Sequence, residues 1–390
     1  MNQLLIDGRS LVGIVSSVIR QDALRVNFNR LDWERMYRIA DYHKVANIVY
    51  LGILGYREAL PEKWQGRFFE RYQESLRFGE NYKESIDEVL NWLDVRNISC
   101  TMLTSEVIRE FYRIPEAADT SPLRIYLDEK SYALARGYLI DLGYEVNGLY
   151  EEAGEHFIKP AGISIDLYHR LPFLTVRYGR GMRRLLEGTC SRESYQRIRA
   201  FSVEDEFIYR MASAAYRYVT DELTMREVIE LQIFHSVLRD RIRMDMVQKR
   251  LKEFGVEVLA EKLLRISYMW FGDRKDMYYD GLPEDMEAYD ILEERLITRG
   301  IVKHETDEQA LKLERLVRKE LEKKKRKEEI SLLKEKAKRR WESAKRMFRW
   351  IFPDYHYMLS IYPLLERLPM LLPIFWLLRC GRLLGRALKG

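Results

Sequence analysis

The chain has 390 residues, of which 47% are hydrophobic, 12% aromatic and 33% charged. This composition excludes a disordered or low-complexity protein, and the length exceeds the roughly 250–300 residues at which one hydrophobic core stops growing. The three cysteines, Cys100, Cys190 and Cys380, are odd in number and far apart, which excludes a disulfide framework and a CxxC metal site and favours a cytoplasmic protein.

Residues 1–95 are predicted to form an N-terminal helical region. Apolar residues recur at helical spacing in Leu31–Ile53, with a break near Asp41–His43. Pro61 suits the first turn of a further long helix that we expect to reach Val95. The apolar stretch Leu11–Ile19 has neither a basic segment before it nor a small-residue cleavage site, so we expect no secretory signal.

The hydrophobic period changes between residues 96 and 175. Ile98–Leu103, Leu123–Leu127 and Ile163–Tyr168 are short, apolar segments typical of strands, and Tyr132–Leu142 reads as a helix that ends at Gly143. We therefore predict a small mixed sheet with helices packed on it. Residues 176–302 return to helical character, and the predicted helices are 203–219, 225–238, 244–254, 256–271 and 288–298.

Charge is concentrated in the last third of the chain. Leu311–Arg349 carries 17 Lys and Arg against 7 Asp and Glu, although the whole chain has a net charge of only +5. We predict a long basic helix at 303–350 and amphipathic helices at 351–390. The basic helix either attracts phosphate, in nucleic acid or anionic lipid, or is a solvated helix face. The final helix either lies on a membrane surface or packs on the protein's own core.

Most sequence templates for catalysis are absent. The chain has no GxGxxG, GxxxxGK[ST], HExxH or GxSxG motif. Its six histidines show no metal-ligand spacing, so His43 and His235 are expected to be packing or hydrogen-bonding residues.

Short motifs nevertheless follow one another in a distinctive order. They are Ala40-x-x-His43-x-Val45 with Tyr50 and Leu54, Tyr112–Pro115 (YRIP), Leu142–Tyr144 (LGY), Ile165–Leu171 (IDLYHRL), Thr224–Leu231 (TMREVIEL), Phe352-Pro353, Tyr362-Pro363 and Leu372–Arg379 (LPIFWLLR). The ordered set resembles the uncharacterised nucleotidyltransferases of the polymerase-β-like superfamily, which are often encoded in bacterial surface-polysaccharide loci. The resemblance covers most of the chain. It implies a predominantly helical α+β fold, with a small mixed sheet of the nucleotidyltransferase type embedded between helical regions.

The chemistry of that superfamily depends on carboxylates at fixed places. Two Asp one residue apart on a strand, with a third acid on a neighbouring strand, hold two Mg²⁺ ions that orient an acceptor hydroxyl and neutralise the NTP phosphates. A glycine-containing loop brings backbone N–H groups to the phosphates.

The departures of this chain fall on those places. When apolar positions are matched, Pro122 and Arg124 replace the two strand aspartates, and Ser105 replaces the loop glycine. Of the three acids, only the third remains, as Asp166, which is a candidate catalytic residue. An arginine offers only donors and a fixed positive charge, so it cannot bind Mg²⁺.

Three hypotheses about function remain open. The protein is a nucleotidyltransferase-like protein without catalytic activity, which acts by binding a nucleotide or a protein partner in bacterial surface-polysaccharide synthesis. Alternatively, it is an active transferase that uses Mg²⁺, an NTP, Asp166 and other acids, of which Asp119, Asp128 and Glu129 are the nearest. The third hypothesis is a scaffold at an anionic membrane surface, attached peripherally to the inner face.

Strand alternation predicts one specific contact. Arg124 and Tyr126 share a face of their strand, and Ser164, Asp166 and Tyr168 share a face of theirs. If the two strands are neighbours, as the resemblance implies, Arg124 meets Asp166 and its guanidinium replaces the metal ions as counter-charge. The alternative is two unrelated charges that face solvent.

Overall fold

The structure, a computed structural model, describes residues 3–118, 122–150, 153–159, 163–171, 174–273, 278–279, 281, 283–306, 341, 352 and 354–387. These residues are mostly helical and contain a seven-stranded mixed sheet, which confirms the predicted α+β class. The chain divides into two compact units after residue 317.

The N-terminal region is helical, as predicted. Its helices are α1 (Gln3–Arg20), α2 (Trp33–Tyr42), α3 (Ala46–Ile53), α4 (Glu62–Glu80) and α5 (Tyr82–Val95). The break predicted near Asp41–His43 is present between α2 and α3, where Lys44 has a left-handed φ of 57°. The single helix predicted from Pro61 to Val95 is instead two helices that meet at Asn81.

One sheet collects all the strands of the described residues. The strands are β1 (Cys100–Met102), β2 (Leu123–Tyr126), β3 (Glu145–Tyr150), β4 (Gly154–Ile158), β5 (Ile165–Tyr168), β6 (Cys190–Ser191) and β7 (Ile198–Ala200). Their order is β3-β4-β5-β2-β1-β7-β6, with β2 parallel to β5 and β4 antiparallel to β5. The sheet therefore extends beyond residue 175, where we expected it to end. Strands of two or three residues, such as β6 and β7, are too short to show an alternating pattern.

The two faces of the sheet differ in character. A helix, α6 (Glu129–Asp141), follows β2. Leu123, Ile125, Ile165 and Leu167 lie in one buried apolar cluster with residues of α5 and α6. The residues between them on β2 and β5 point to the opposite face, as the alternation predicted.

Helices α7 to α12 follow the core strands. They are α7 (Val176–Glu187), α8 (Val203–Val219), α9 (Met225–Leu238), α10 (Met244–Phe254), α11 (Glu257–Phe271) and α12 (Met286–Thr306). The predicted bounds of α8, α9 and α10 are confirmed at both ends. Side chains of Ser202 and Thr224 cap the first turns of α8 and α9, which fixes where these helices begin.

The second unit has two described α-helices, α13 (Tyr355–Ile361) and α14 (Leu372–Ala387), separated by short 3₁₀ turns. They correspond to the predicted amphipathic end of the chain. The basic block Leu311–Arg349 lies outside the described residues, apart from Trp341. Among the helices that are described, none combines the length and hydrophobicity needed to cross a membrane.

Candidate functional site

Arg124 and Asp166 face each other across the parallel strands β2 and β5. The Arg124 Nε donates to Asp166 Oδ2 at 3.3 Å. The Asp166 side chain is 1% exposed and that of Arg124 is 16% exposed. The predicted contact is therefore confirmed, and the alternative of two unrelated solvent-facing charges is wrong.

A second carboxylate, Glu227 at the start of α9, completes an ion network with Arg124. Glu227 Oε1 accepts from Arg124 Nη2 at 3.1 Å and from Arg217 Nη1 at 2.8 Å. Its other oxygen accepts from the backbone N and the hydroxyl of Thr224, which forms a capping box. The motif Thr224–Leu231 predicted no role for Glu227, although the Thr-x-x-Glu spacing is a recognisable helix-start signal.

His156 on β4 is the third partner in this network. It stands opposite Asp166 in the antiparallel register of β4 and β5, and its Nδ1 lies 2.6 Å from Asp166 Oδ1. Both oxygens of the buried carboxylate are thus engaged. This role of His156 could not be predicted from the sequence, because a single His on a strand shows no ligand spacing.

The network is ionised at neutral pH. Burial alone would raise the pKa of Asp166, but the hydrogen bond with His156 and the charge of Arg124 hold that pKa well below its usual range. Burial likewise opposes ionisation of Glu227, yet Arg217 and Arg124 lower its pKa to about 2. Arg124 therefore lies as a permanent cation between two carboxylates.

The loop position that would hold phosphate is engaged by a carboxylate of the protein itself. Glu206 on α8 accepts from the Ser105 backbone N at 2.9 Å and from the Ser105 hydroxyl at 3.1 Å. The same oxygen accepts from Arg210 Nη2 at 2.7 Å. An N–H that could face an NTP phosphate is thus already bonded to an internal anion. No local pattern in the sequence joins Ser105 to a residue that lies a hundred positions further on.

Very little space is left beside these groups. Ser105, Pro122 and Arg124 line a cavity of about 10 Å³, which is at most the room that one water molecule needs. Pro122 offers no side-chain ligand, and Arg124 offers only donors. Among the described residues, no group of three or more His, Cys, Asp or Glu side chains could hold a metal ion. The residues present here do not fit a pair of Mg²⁺ ions and an NTP.

The other acids considered for catalysis do not join this network. Asp128 caps α6, since it accepts from the backbone N of Lys130 at 3.0 Å and of Ser131 at 2.9 Å. Glu129 is the first residue of that helix, where an acid favours the helix dipole. Asp119 lies outside the described residues.

The two histidines expected to have packing roles do have them. His43 is fully buried, and its Nδ1 accepts from the Met225 backbone N at 3.2 Å while Nε2 donates to the Ile297 carbonyl at 3.3 Å. Burial lowers the pKa of His43 to about 4, so the ring is neutral. His235 is also buried and bonds through Nδ1 to the Tyr268 hydroxyl at 2.7 Å.

Comparison with known proteins agrees with this architecture. A family model described as "Uncharacterised nucleotidyltransferase" matches residues 29–272, which is more than half of the chain. No curated protein and no solved structure matches the chain. The matched range includes the helices α2–α5, the whole sheet and the helices that contribute Glu206 and Glu227. By this match the chain belongs to the uncharacterised nucleotidyltransferase family.

Proposed function

We propose that this chain is a nucleotidyltransferase-like protein that transfers no nucleotide and acts by binding. The observation that carries the proposal is the position of Arg124, whose guanidinium contacts both Asp166 and Glu227. A guanidinium replaces the counter-charge that metal ions would supply to the carboxylates, but it cannot coordinate NTP phosphates as a metal ion does.

The bond between Glu206 and the loop residue Ser105 also supports this proposal. Its carboxylate accepts from the Ser105 N–H, so a triphosphate at this loop would meet a buried negative charge. Binding there would require Glu206 to leave Arg210 and Ser105 together. The ligand that the protein binds is therefore proposed to be a nucleotide held elsewhere, another small molecule or a protein partner. The family resemblance supports a wider role in bacterial surface-polysaccharide synthesis, in the cytoplasm.

Incubation with labelled ATP or CTP and Mg²⁺ tests the proposal. We expect no transfer of label to the protein, to added sugars or to phosphates, because the acids that would hold the metal ions are replaced. Transfer is measured by autoradiography of the separated products. An Asp166→Asn variant purified in parallel reports any contaminating transferase. Turnover by the native chain that disappears in this variant would mean that the protein is an active enzyme.

A second candidate function is attachment to an anionic membrane surface. It is supported by large apolar side chains exposed in the second unit, among them Met370 at 92% and Leu377 at 69%. The sequence just before this unit's described helices carries the excess of Lys and Arg in Leu311–Arg349. Apolar contact combined with basic charge is how interfacial segments bind anionic lipid.

Co-sedimentation with lipid vesicles tests this second function. The full chain is expected to sediment with vesicles that contain phosphatidylglycerol and to stay in solution with phosphatidylcholine alone, since the attraction is electrostatic. A Leu377→Ser/Leu378→Ser variant should lose most of this binding. If the full chain does not sediment with anionic vesicles and deletion of residues 363–390 makes the protein insoluble, the final helix instead packs on the protein's own core.

A further inference from the structure

A cleft of about 240 Å³ lies between the N-terminal helices and the part of the sheet where β4 ends and β5 begins. Lys44, Asn47 and Arg71 line its helical wall, and His156, Lys159 and Ser164 line its sheet wall. Its volume is below the roughly 300–1,000 Å³ of sites for drug-sized ligands. The cleft therefore suits a molecule smaller than most drugs.

Two lysines give this cleft an excess of positive charge. Within the described residues, neither Lys44 nor Lys159 forms an ion pair with a carboxylate. The third cation, Arg71, is matched by Asp41 at 2.7 Å and by Glu74 at 2.6 Å. These two acids also line the cleft. Since both acids are bonded to Arg71, Lys44 and Lys159 are the cations of the cleft that have no carboxylate bond; the Lys159 Nζ lies 5.4 Å from the centroid of the Tyr144 ring.

Lys44 is held in place by an uncommon backbone conformation. Its φ of 57° is left-handed, which is usual just after a helix end for Gly or Asn and costs energy for other residues. Its carbonyl accepts from the buried guanidinium of Arg226, at 2.9 Å from Nε. The left-handed φ and the bond from Arg226 fix the backbone of Lys44, and its exposed side chain lines the cleft.

His156 adds a polar group with a defined proton. A carboxylate oxygen accepts hydrogen bonds, so the Nδ1 that lies 2.6 Å from Asp166 Oδ1 is the donating nitrogen of the ring. The Nε2 of the ring has no partner among the described residues, and the side chain is 20% exposed. This nitrogen can therefore accept a hydrogen bond from a hydroxyl of a ligand.

We propose that this cleft binds a small phosphate monoester, with Lys44 and Lys159 on the phosphoryl group and His156 Nε2 on a neighbouring polar group. A phosphate monoester carries close to two negative charges at neutral pH, which matches two lysines better than the single charge of a carboxylate does. The inference rests on the proposed binding function and names the ligand class. The proposed phosphate site does not involve Ser105 or Arg210, the residues bonded to Glu206.

Titration calorimetry with the full chain at fixed ionic strength tests the site. Glucose 6-phosphate is expected to bind with a dissociation constant at or below about 1 mM and inorganic phosphate more weakly, while glucose and acetate should not bind. A Lys44→Met variant should weaken binding roughly tenfold, and Lys44→Met/Lys159→Met should abolish it. The matched control is Lys249→Met/Lys252→Met on α10, which removes the same charge away from the cleft and should bind as the native chain does.

Several outcomes would overturn the site. Failure of both phosphate compounds to bind would do so, as would equal binding of acetate. Equal weakening in the Lys249→Met/Lys252→Met control would show only a general charge effect. The two proposals can fail separately. If phosphate compounds do not bind and no label is transferred, the phosphate site is wrong but the proposed loss of catalysis stands. If phosphate compounds bind and label is transferred, the proposed loss of catalysis is wrong but the phosphate site stands.

Discussion

Replacing Arg226 by methionine is expected to lower the free energy of unfolding by about 4 kcal/mol. The Arg226 guanidinium is buried and donates to the Lys44 carbonyl at 2.9 Å, the Ala117 carbonyl at 2.8 Å and Asn47 Oδ1 at 2.6 Å. Methionine fills part of the volume but removes this donor from the Lys44 carbonyl and from Asn47 Oδ1. The Ala117 carbonyl keeps only its bond from Asn47 Nδ2 at 3.1 Å. Urea unfolding followed by circular dichroism measures the loss.

A milder variant separates the guanidinium from one of its partners. Tyr112→Phe removes only the hydroxyl that accepts from Arg226 Nη1 at 3.1 Å, so its cost should be about 1 kcal/mol. Hydrogen exchange should report faster opening around Lys44 and Ala117 in Arg226→Met but not in Tyr112→Phe. Equal stability of Arg226→Met and the native protein would mean that water replaces the guanidinium without cost.

Replacing Arg124 by leucine should cost about 3 kcal/mol at neutral pH. The substitution removes the Arg124 guanidinium from both Asp166 and Glu227. Asp166 then keeps His156, and Glu227 keeps Arg217. An exposed pair provides the control: Arg184 bonds Glu253 at 2.9 Å with side chains 52% and 35% exposed. Arg184→Leu should change the free energy of unfolding by less than about 1 kcal/mol.

The cost of Arg124→Leu should also depend on pH. In the native chain the pKa of both carboxylates is lowered, to about 2 for Glu227. Their stabilisation is therefore complete above the unfolded-state values and is lost as the pH falls through the folded ones. The difference between native chain and variant should narrow below about pH 4.5, the unperturbed value for Glu227. A difference that stays constant from pH 7 to pH 3 would show that the lost interaction is packing rather than charge.

Helices with strong local signals could be predicted from the sequence alone. The bounds of α8 and α9 follow from Ser202 and Thr224, which cap them, and from the regular apolar spacing after each cap. The end of α4 at Asn81 could not be predicted, because no Gly or Pro marks it and the amphipathic pattern continues into α5. Strand β6 could not be predicted either, because two residues are too few to show the alternation of apolar and polar side chains that marks a strand.

Only the Arg124–Asp166 part of the candidate site could be predicted from the sequence. Alternation along β2 and β5 places Arg124 and Asp166 on the same face of the sheet. Their contact can therefore be predicted once the two strands are assumed to be neighbours. His156, Glu206 and Glu227 come from other elements, and only tertiary packing brings them to this face. A sequence pattern describes what one segment does, whereas a buried ion network depends on several segments together.

Glu227 belongs at once to the first turn of α9 and to the ion network against β2. A one-residue slip of the helix would rotate this carboxylate by about 100° and would break its bonds to Thr224 and to Arg124 together. The capping box of α9 and the contact of α9 with β2 therefore break together, because both depend on Glu227. We expect β2, β5 and the first turn of α9 to open as one cooperative unit, with a single exchange rate for amides that lie on different elements of the fold.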